Sequence, residues 1–205
     1  MASCNNSQNK SESTPTDLVF SSMEILANQI TEIIAVISKE KVSSMLKILL
    51  DAREKNACIF VAGAGRSGFM GKSFAMRLMH MGFKSYVVGE TVTPAVQKDD
   101  VVITISGSGN TQSVVEIGKK AKNVGAVLIV LTTKYESKLG EISDLCVVLP
   151  AKSKEDKNMD KISKTPMGTS FEILSLVFLD SIIMQLIDLT GVSEDEMKKR
   201  HANME

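Results

Sequence analysis

Aromatic residues are scarce in this sequence, and neither sign of charge is in excess. Tryptophan is absent and aromatic residues make up only 4% of the 205 residues, which argues against a surface that stacks nucleic-acid bases. The 24 basic residues are balanced by 24 acidic residues, so the chain lacks the basic excess that binding to nucleic acid or to a membrane surface requires. We therefore expect no nucleic-acid partner and no membrane partner.

Cysteine is also scarce, and long hydrophobic runs are missing. The residues Cys4, Cys58 and Cys146 cannot all pair and form no CxxC motif, so we expect neither a disulfide framework nor a zinc site. The N-terminus shows no apolar segment typical of a secretory signal. The apolar run Ile173–Ile187 is interrupted by Asp180 and falls short of the roughly 18 residues of a membrane span. These features predict a cytoplasmic protein with reduced thiols.

Composition divides the chain into a polar tail, residues 1–20, and a single domain, residues 21–205. The tail is rich in Ser, Asn and Thr, and it cannot bury enough apolar surface to offset the entropy of ordering. From Met23 onward, apolar residues recur at helical spacing and predict two helices before residue 55. The remaining length, about 185 residues, suits one domain.

Five short and almost entirely apolar runs follow residue 55. Runs without polar alternation are typical of strands that are covered on both faces of a parallel sheet. The runs are Cys58–Ala62, Ser85–Val88, Val101–Ile105, Val127–Leu131 and Leu145–Leu149. Helical patterns lie between most of them, over Ser67–Met81, Thr111–Asn123 and Ser137–Ile142. This alternation predicts an α/β fold, a three-layer αβα sandwich with a five-stranded parallel sheet of the flavodoxin-like type.

The last part of the domain combines a charged segment with a very apolar helix. Residues 152–165 contain five lysines and no apolar periodicity, which predicts a solvated loop. A long helix is predicted from about Ser170 to Leu189, and Gly191 ends it. A short helix follows. Because the long helix is apolar over more of its circumference than one sheet contact needs, we expect it to form an oligomer interface.

The loop after the first strand has the pattern GxGxxG, from Gly63 to Gly68. This pattern opens a helix in dinucleotide-binding proteins, and Glu90 follows where a ribose-binding acid would lie. Glycine also permits any tight strand-to-helix turn, so the pattern alone does not distinguish the two functions. A Walker A loop is not predicted, because Arg66 occupies the position of its first glycine.

The loop after the third predicted strand is the strongest candidate for a binding site. It contains three hydroxyl side chains and glycine-exposed amides at the start of a helix, and these groups bind phosphate monoesters. The candidate binding residues are Ser106, Gly107, Ser108, Gly109, Asn110 and Thr111. A simple turn with Thr111 as N-cap would need only one hydroxyl. The loop carries no lysine or magnesium-binding acid, so a small phosphorylated metabolite is favoured over ATP.

Glu172 is the candidate catalytic base. It begins a largely apolar helix, where removal from water makes a carboxylate a better proton acceptor. A capping box between Thr169 and Glu172 is the alternative interpretation. Arg66 would supply a counter-charge or bind substrate hydroxyls. His201 lies near the C-terminus, and taken by itself it is more typical of an exposed side chain.

Six segments together resemble the 6-phospho-3-hexuloisomerases, which belong to the sugar isomerase (SIS) domain family of phosphosugar proteins. The segments are GAGRSG at 63–68, FAMRLMHMGF at 74–83, YVVGETVTPA at 86–95, ISGSGNT at 105–111, PMGTSFE at 166–172 and RHANME at 200–205. Each motif is short, but their order and spacing are specific. The resemblance runs from about Met23 to the last residue.

The resemblance implies interconversion of 3-hexulose 6-phosphate and fructose 6-phosphate in the ribulose monophosphate pathway of formaldehyde fixation. It implies that Glu172 is the base and that a neighbouring subunit supplies a histidine for ring opening, for which His201 is the candidate. The residues implied to bind phosphate are Ser67, Ser106, Ser108 and Thr111. A homotetramer and a functional link to 3-hexulose-6-phosphate synthase are also implied. Asn110 departs from the family pattern, which often has Glu at this position.

The implied reaction needs few groups. Moving the carbonyl from C3 to C2 requires removal of a proton from C2 and delivery of a proton to C3 through a cis-enediol. One carboxylate can perform both transfers on the same face, so no metal or redox cofactor is required. Backbone amides or Arg66 would stabilise the enediolate oxygens. We therefore expect no cofactor.

Three other functions fit parts of the pattern. Arabinose 5-phosphate isomerases of the same domain family usually carry an added pair of regulatory modules, for which 205 residues leave no room. Non-catalytic phosphosugar sensors usually carry an N-terminal helix-turn-helix, whereas the helices predicted before Cys58 lack a basic face. An NAD-dependent oxidoreductase built on GAGRSG would need a separate substrate domain.

Overall fold

A five-stranded parallel sheet lies at the centre of the protein. The structure is a computed structural model, and it describes residues 15–151, 166 and 168–204. The strands are β1 (Cys58–Gly63), β2 (Lys84–Val87), β3 (Val101–Ile105), β4 (Val127–Thr132) and β5 (Leu145–Val148). The helices are α1 (Pro15–Ile34), α2 (Lys39–Glu54), α3 (Gly65–His80), α4 (Gln112–Val124), α5 (Lys138–Ile142), α6 (Thr169–Thr190) and α7 (Glu194–Lys199). The predicted α/β class is confirmed.

The strand order brings two loops together at the carboxyl edge of the sheet. The order is β2-β1-β3-β4-β5, with every pair parallel. The chain passes from β1 outward to β2 and then returns to β3 on the other side of β1. In the register of this pair, Gly63 at the end of β1 lies beside Ile105 at the end of β3. Open α/β sheets bind ligands where the strand order reverses in this way.

Helices cover both faces of the sheet and complete the three predicted layers. Alternate side chains along a strand point to opposite faces, so Phe60 and Val61 of β1 enter two different cores. One core contains side chains of α2, α3 and α6, with Phe74 and Leu179 among them. The other contains side chains of α4 and α5. Because both faces are covered, the strands need no polar positions, which explains their continuous apolar runs.

The N-terminal boundary of the folded region differs from the prediction. Composition assigned residues 1–20 to a disordered tail, but α1 begins at Pro15, so residues 15–20 are helical. Proline is favoured in the first turn of a helix, and that signal lies inside a segment that looks polar as a whole. The rest of the predicted tail, residues 1–14, and the lysine-rich segment 152–165 lie outside the described residues.

Helix α6 combines a buried face with an apolar outer face. By length and composition alone this helix could cross a membrane, since it has 22 residues and a mean hydropathy of 1.8. The sequence had predicted no apolar stretch of that length. The core helix of a soluble protein passes the same test. Phe171 and Leu186 of α6 are buried in the core that α3 shares. Val177, Met184 and Leu189 are exposed, and the expected oligomer interface stays a prediction.

Candidate active site

A cavity of about 330 Å³ opens at the carboxyl edge of the sheet. Its wall is formed by the loop after β1, the loop after β3 and the first turn of α6. These three segments are far apart in the sequence and are brought together by the reversal of strand order. The predicted residues that line the cavity are Ser67, Ser106, Gly107, Ser108, Thr111 and Glu172.

The loop after β3 presents unpaired hydrogen-bond donors at the start of α4. Among residues 15–151, the backbone amides of Gly107, Ser108 and Thr111 donate to no acceptor. Thr111 is the N-cap of α4, but its side chain makes no capping hydrogen bond. Its hydroxyl instead lies 3.2 Å from the hydroxyl of Ser106. These amides and hydroxyls are available to a ligand, and the positive end of the helix dipole favours an anion.

Gly109 and Asn110 hold this loop in place and do not line the cavity. Gly109 is buried with φ of +65°, and its amide donates to the carbonyl of Ser106 at 3.0 Å. Its carbonyl accepts from the amide of Leu139 at 3.0 Å. The Asn110 side chain accepts a hydrogen bond of 3.1 Å from the amide of Lys138 at the start of α5. Both residues were predicted to contact substrate. In the structure they hydrogen-bond to the backbone of their own loop and of α5, and neither lines the cavity.

Glu172 lies in the first turn of α6 and faces the cavity with only 1% of its surface exposed. The capping box that the sequence allowed is not formed. Gly168 is the N-cap, with no side-chain hydrogen bond, and the buried hydroxyl of Thr169 has no partner in the described part of the chain. Glu172 therefore has no capping role in α6.

The predicted binding residue Arg66 does not line the cavity, but it forms an ion pair with Glu172, which does. The distance from Arg66 Nε to Glu172 Oε2 is 2.6 Å, and the arginine side chain is 56% exposed whereas that of the glutamate is 2% exposed. The N–H direction does not meet hydrogen-bond geometry, so Oε2 is left without a hydrogen-bond partner. Across the described ranges, no group of three or more His, Cys, Asp or Glu side chains is placed to hold a metal ion.

Close backbone packing accounts for two glycines of the GxGxxG pattern. A Cβ atom on Gly68 would lie 2.8 Å from the carbonyl oxygen of Gly63, so the start of α3 approaches β1 too closely for a side chain. Glu90, the candidate ribose-binding acid, is paired with Lys72 at 2.5 Å, and both side chains are about half exposed. The pattern therefore has a steric explanation and gives the dinucleotide hypothesis no further support.

His201 lies far from the cavity of its own chain. Its ring stacks on His80 with the ring centroids 5.2 Å apart. Burial, together with the nearby His201 and Arg77, lowers the pKa of His80. His80 ends α3 and Arg66 is near its beginning, and a helix of 16 residues is about 24 Å long. A catalytic role for His201 therefore stays a hypothesis only for a neighbouring subunit.

The sequence reasoning missed the loop after β4, which packs behind the loop after β3. The hydroxyls of Thr132 and Thr133 and the buried side chain of Ser137 contact that loop. It also missed Phe171, whose ring lies against Gly107 across the cavity wall. The predicted parallel sheet could have indicated this contact. A strand that pairs with β3 in parallel ends at the same edge, so the loop after that strand lies beside the loop after β3.

Several known proteins are similar to this chain in sequence and in structure. A family model described as SIS domain matches residues 52–175. The 3-hexulose-6-phosphate isomerases of Methanocaldococcus jannaschii and Bacillus subtilis are each 41% identical over 182 residues, which cover 89% of this chain and 96% of each relative. A hypothetical protein from Methanococcus jannaschii, inferred from its crystal structure to be a 3-hexulose-6-phosphate isomerase, matches with a TM-score of 0.78 and 38% identity. That match covers 90% of this chain and 99% of the other.

Proposed function

The chain belongs to the SIS domain family, and on that basis we propose that it interconverts 3-hexulose 6-phosphate and fructose 6-phosphate. The observation that carries the proposal is a buried carboxylate, Glu172, in the same cavity as a hydroxyl-rich loop whose amides at Gly107, Ser108 and Thr111 donate to no acceptor among residues 15–151. One group suits proton transfer and the other suits a phosphate anchor. The relatives named 3-hexulose-6-phosphate isomerase support the choice of substrate over other phosphosugars.

The phosphate group is the part of the substrate that the loop after β3 would bind. The amides of Gly107, Ser108 and Thr111 point donors at an anion, and the hydroxyls of Ser106 and Thr111 lie close enough together to share one phosphate. Binding energy from this remote group would hold the substrate and the transition state in the cavity about equally, so its loss would raise KM more than it lowers kcat. Because the chain is neutral overall, the attraction for the substrate dianion must come from these local donors.

Proton transfer is assigned to Glu172. Its carboxylate would remove the C2 proton of 3-hexulose 6-phosphate and return a proton to C3 of the enediolate, which gives fructose 6-phosphate. Negative charge then moves from the carboxylate to the substrate oxygens in the transition state. Arg66 pairs with Glu172 in the structure, and its side chain is 56% exposed, so solvent-filled space lies beside it into which it could turn toward those oxygens. It would then stabilise the enediolate.

Replacing Arg66 with methionine is expected to lower kcat by roughly 10²-fold, because a donor to the enediolate is lost. Lysine at this position should recover part of the rate, since it retains the charge without the planar fork of donors. Steady-state kinetics of the two variants check this. A methionine variant with a normal kcat would show that Arg66 stabilises only the resting carboxylate.

A neighbouring subunit would complete the site by supplying His201. The outer face of α6 leaves Val177, Met184 and Leu189 exposed on one subunit, which supports a homo-oligomer, and we propose a tetramer. His201 is exposed apart from its contact with His80, so it is free to reach a second chain. It would assist opening of the fructose 6-phosphate ring before isomerisation in the reverse direction, since 3-hexulose 6-phosphate carries its phosphate on O6 and cannot close a furanose ring at C3. The activity of His201 variants is therefore measured from fructose 6-phosphate.

Mixed oligomers test the role of His201 directly. The variants His201→Ala and Glu172→Gln should each have low activity alone. If the two residues act across an interface, unfolding and refolding a mixture should restore activity, because some sites then combine an intact Glu172 with an intact His201. No gain above the separate variants would contradict a shared site. Size-exclusion chromatography of the mixture controls for reassembly.

The reaction would place the protein in the cytoplasm, in the ribulose monophosphate pathway next to 3-hexulose-6-phosphate synthase. A coupled assay tests the core of the proposal. Purified protein with EDTA and no added cofactor should convert 3-hexulose 6-phosphate to fructose 6-phosphate. After the protein has been removed, glucose-6-phosphate isomerase, glucose-6-phosphate dehydrogenase and NADP⁺ report the fructose 6-phosphate as NADPH. Binding of the phosphosugar without turnover would instead indicate a sensor.

A further inference from the structure

The carbonyl oxygen of Gly107 accepts three hydrogen bonds from the end of β4. The hydroxyl of Thr132 donates at 3.1 Å, the hydroxyl of Thr133 at 2.8 Å and the amide of Thr133 at 3.1 Å. A backbone carbonyl has two lone pairs, so three donors saturate it. Two of the three donors are side-chain hydroxyls, so the chemistry of residues 132 and 133 determines how firmly this carbonyl is held.

These hydrogen bonds fix the direction of a neighbouring amide. In a trans peptide the carbonyl of one residue and the N–H of the next point in opposite directions, and the described chain contains no cis peptide. Gly107 and Ser108 line the cavity, whereas Thr132 and Thr133 do not. Drawing the Gly107 carbonyl toward β4 therefore turns the N–H of Ser108 away from β4. That N–H has no acceptor within residues 15–151.

We propose that Thr132 and Thr133 are positioning residues that aim the Ser108 amide at the phosphate of the substrate. The inference rests on the proposed function, because it assumes that the loop after β3 binds phosphate. Neither threonine would touch the ligand. Without the two hydroxyls, only the amide of Thr133 would hold the carbonyl, and the peptide between Gly107 and Ser108 would sample other orientations. Phosphate affinity would fall, while Glu172 would be unaffected.

The test compares valine and serine at both positions, using inorganic phosphate as the probe. Valine keeps the shape of threonine and removes the hydroxyl. Isothermal titration calorimetry of the Thr132→Val/Thr133→Val variant should give a Kd for phosphate raised about 10-fold or more, as expected for two lost hydrogen bonds. The serine pair should restore affinity to within about threefold, because it retains both hydroxyls.

Steady-state kinetics distinguish a role in positioning the Ser108 amide from a general disruption of the active site. In the valine pair, KM for 3-hexulose 6-phosphate should rise with phosphate Kd, while kcat at saturation stays within about twofold, as for lost uniform binding. Thr104→Val is the matched control, because Thr104 is also a buried strand threonine, but its hydroxyl lies 3.5 Å from the carbonyl of Ile129. It should leave phosphate binding unchanged. If the valine pair does not fold, the single change at the half-buried Thr133 gives the same test.

Two results would overturn the inference. One is an unchanged phosphate Kd in the valine variants, and the other is a loss of affinity that serine fails to restore. A normal phosphate Kd in these variants, with turnover intact, would leave the proposed function standing and remove only the role of the threonines. If the unsubstituted protein fails to bind phosphate at all, the proposed function falls together with this inference.

Discussion

Changing Glu172 to glutamine is expected to lower kcat by about 10²–10⁴-fold, the range that a general base contributes. Glutamine has nearly the same shape and cannot accept the C2 proton. The variant should stay folded, since the Glu172 side chain makes no capping hydrogen bond in α6. Affinity for the phosphosugar should change little, because the phosphate anchor lies on the loop after β3.

Glu90→Gln is the control for this change. Glu90 is also a glutamate close to a cation, Lys72, but it is half exposed and does not line the cavity. Its replacement should leave kcat within about twofold, as is usual for a surface substitution. Stopped-time assays of both variants, together with substrate titrations, check the prediction. Near-normal turnover by Glu172→Gln would remove Glu172 as the base.

Changing Gly109 to alanine should lower the free energy of unfolding by about 2–5 kcal/mol. A left-handed conformation costs an alanine about 1–2 kcal/mol, and Gly109 has φ of +65°. Its new Cβ would also lie 2.6 Å from the Cβ of Ser137, a buried residue that cannot easily move. Overpacking of this kind adds about 1–3 kcal/mol. Phosphate binding should weaken as well, since the loop must shift.

Gly191→Ala measures the backbone strain of a left-handed conformation without steric overlap of the new Cβ atom. Gly191 has φ of +66°, but nothing lies within 4 Å of the position of its Cβ. Its replacement should therefore cost only the conformational strain, about 1–2 kcal/mol, and should leave phosphate binding intact. Urea denaturation of the two variants measures the difference. Equal decreases in the free energy of unfolding for the two variants would show that Ser137 moves aside without penalty and that the loop is not tightly packed.

The fold could be predicted because its signals are local. Each strand carries its own apolar run, and the runs lack alternation because both faces of the sheet are covered. The location of the cavity followed from a general property of parallel sheets, that loops after adjacent strands meet at one edge. For this reason the loops that carry Ser67 and Ser106 could be expected at one edge of the sheet, whereas Glu172 was joined to them only by the resemblance to the sugar isomerases.

The details that sequence could not give depend on contacts between distant segments. Gly109 and Asn110 belong to the right loop, but which of its residues face the cavity depends on how Leu139 and Lys138 hold it from behind. The Thr169–Glu172 spacing fits a capping box, and only the position of Gly168 as N-cap shows that none is formed. The distance of His201 from the cavity is a property of the whole fold.

Proton exchange in D₂O tests the central claim most directly. Fructose 6-phosphate is incubated with the protein and EDTA and followed by NMR. A base that works through a C2–C3 enediolate should replace the proton on C3 with deuterium while 3-hexulose 6-phosphate accumulates, and Glu172→Gln should show neither change. Exchange at C1 instead would identify an aldose–ketose isomerase. A spectrum that remains unchanged with folded, phosphate-binding protein would contradict the proposed reaction.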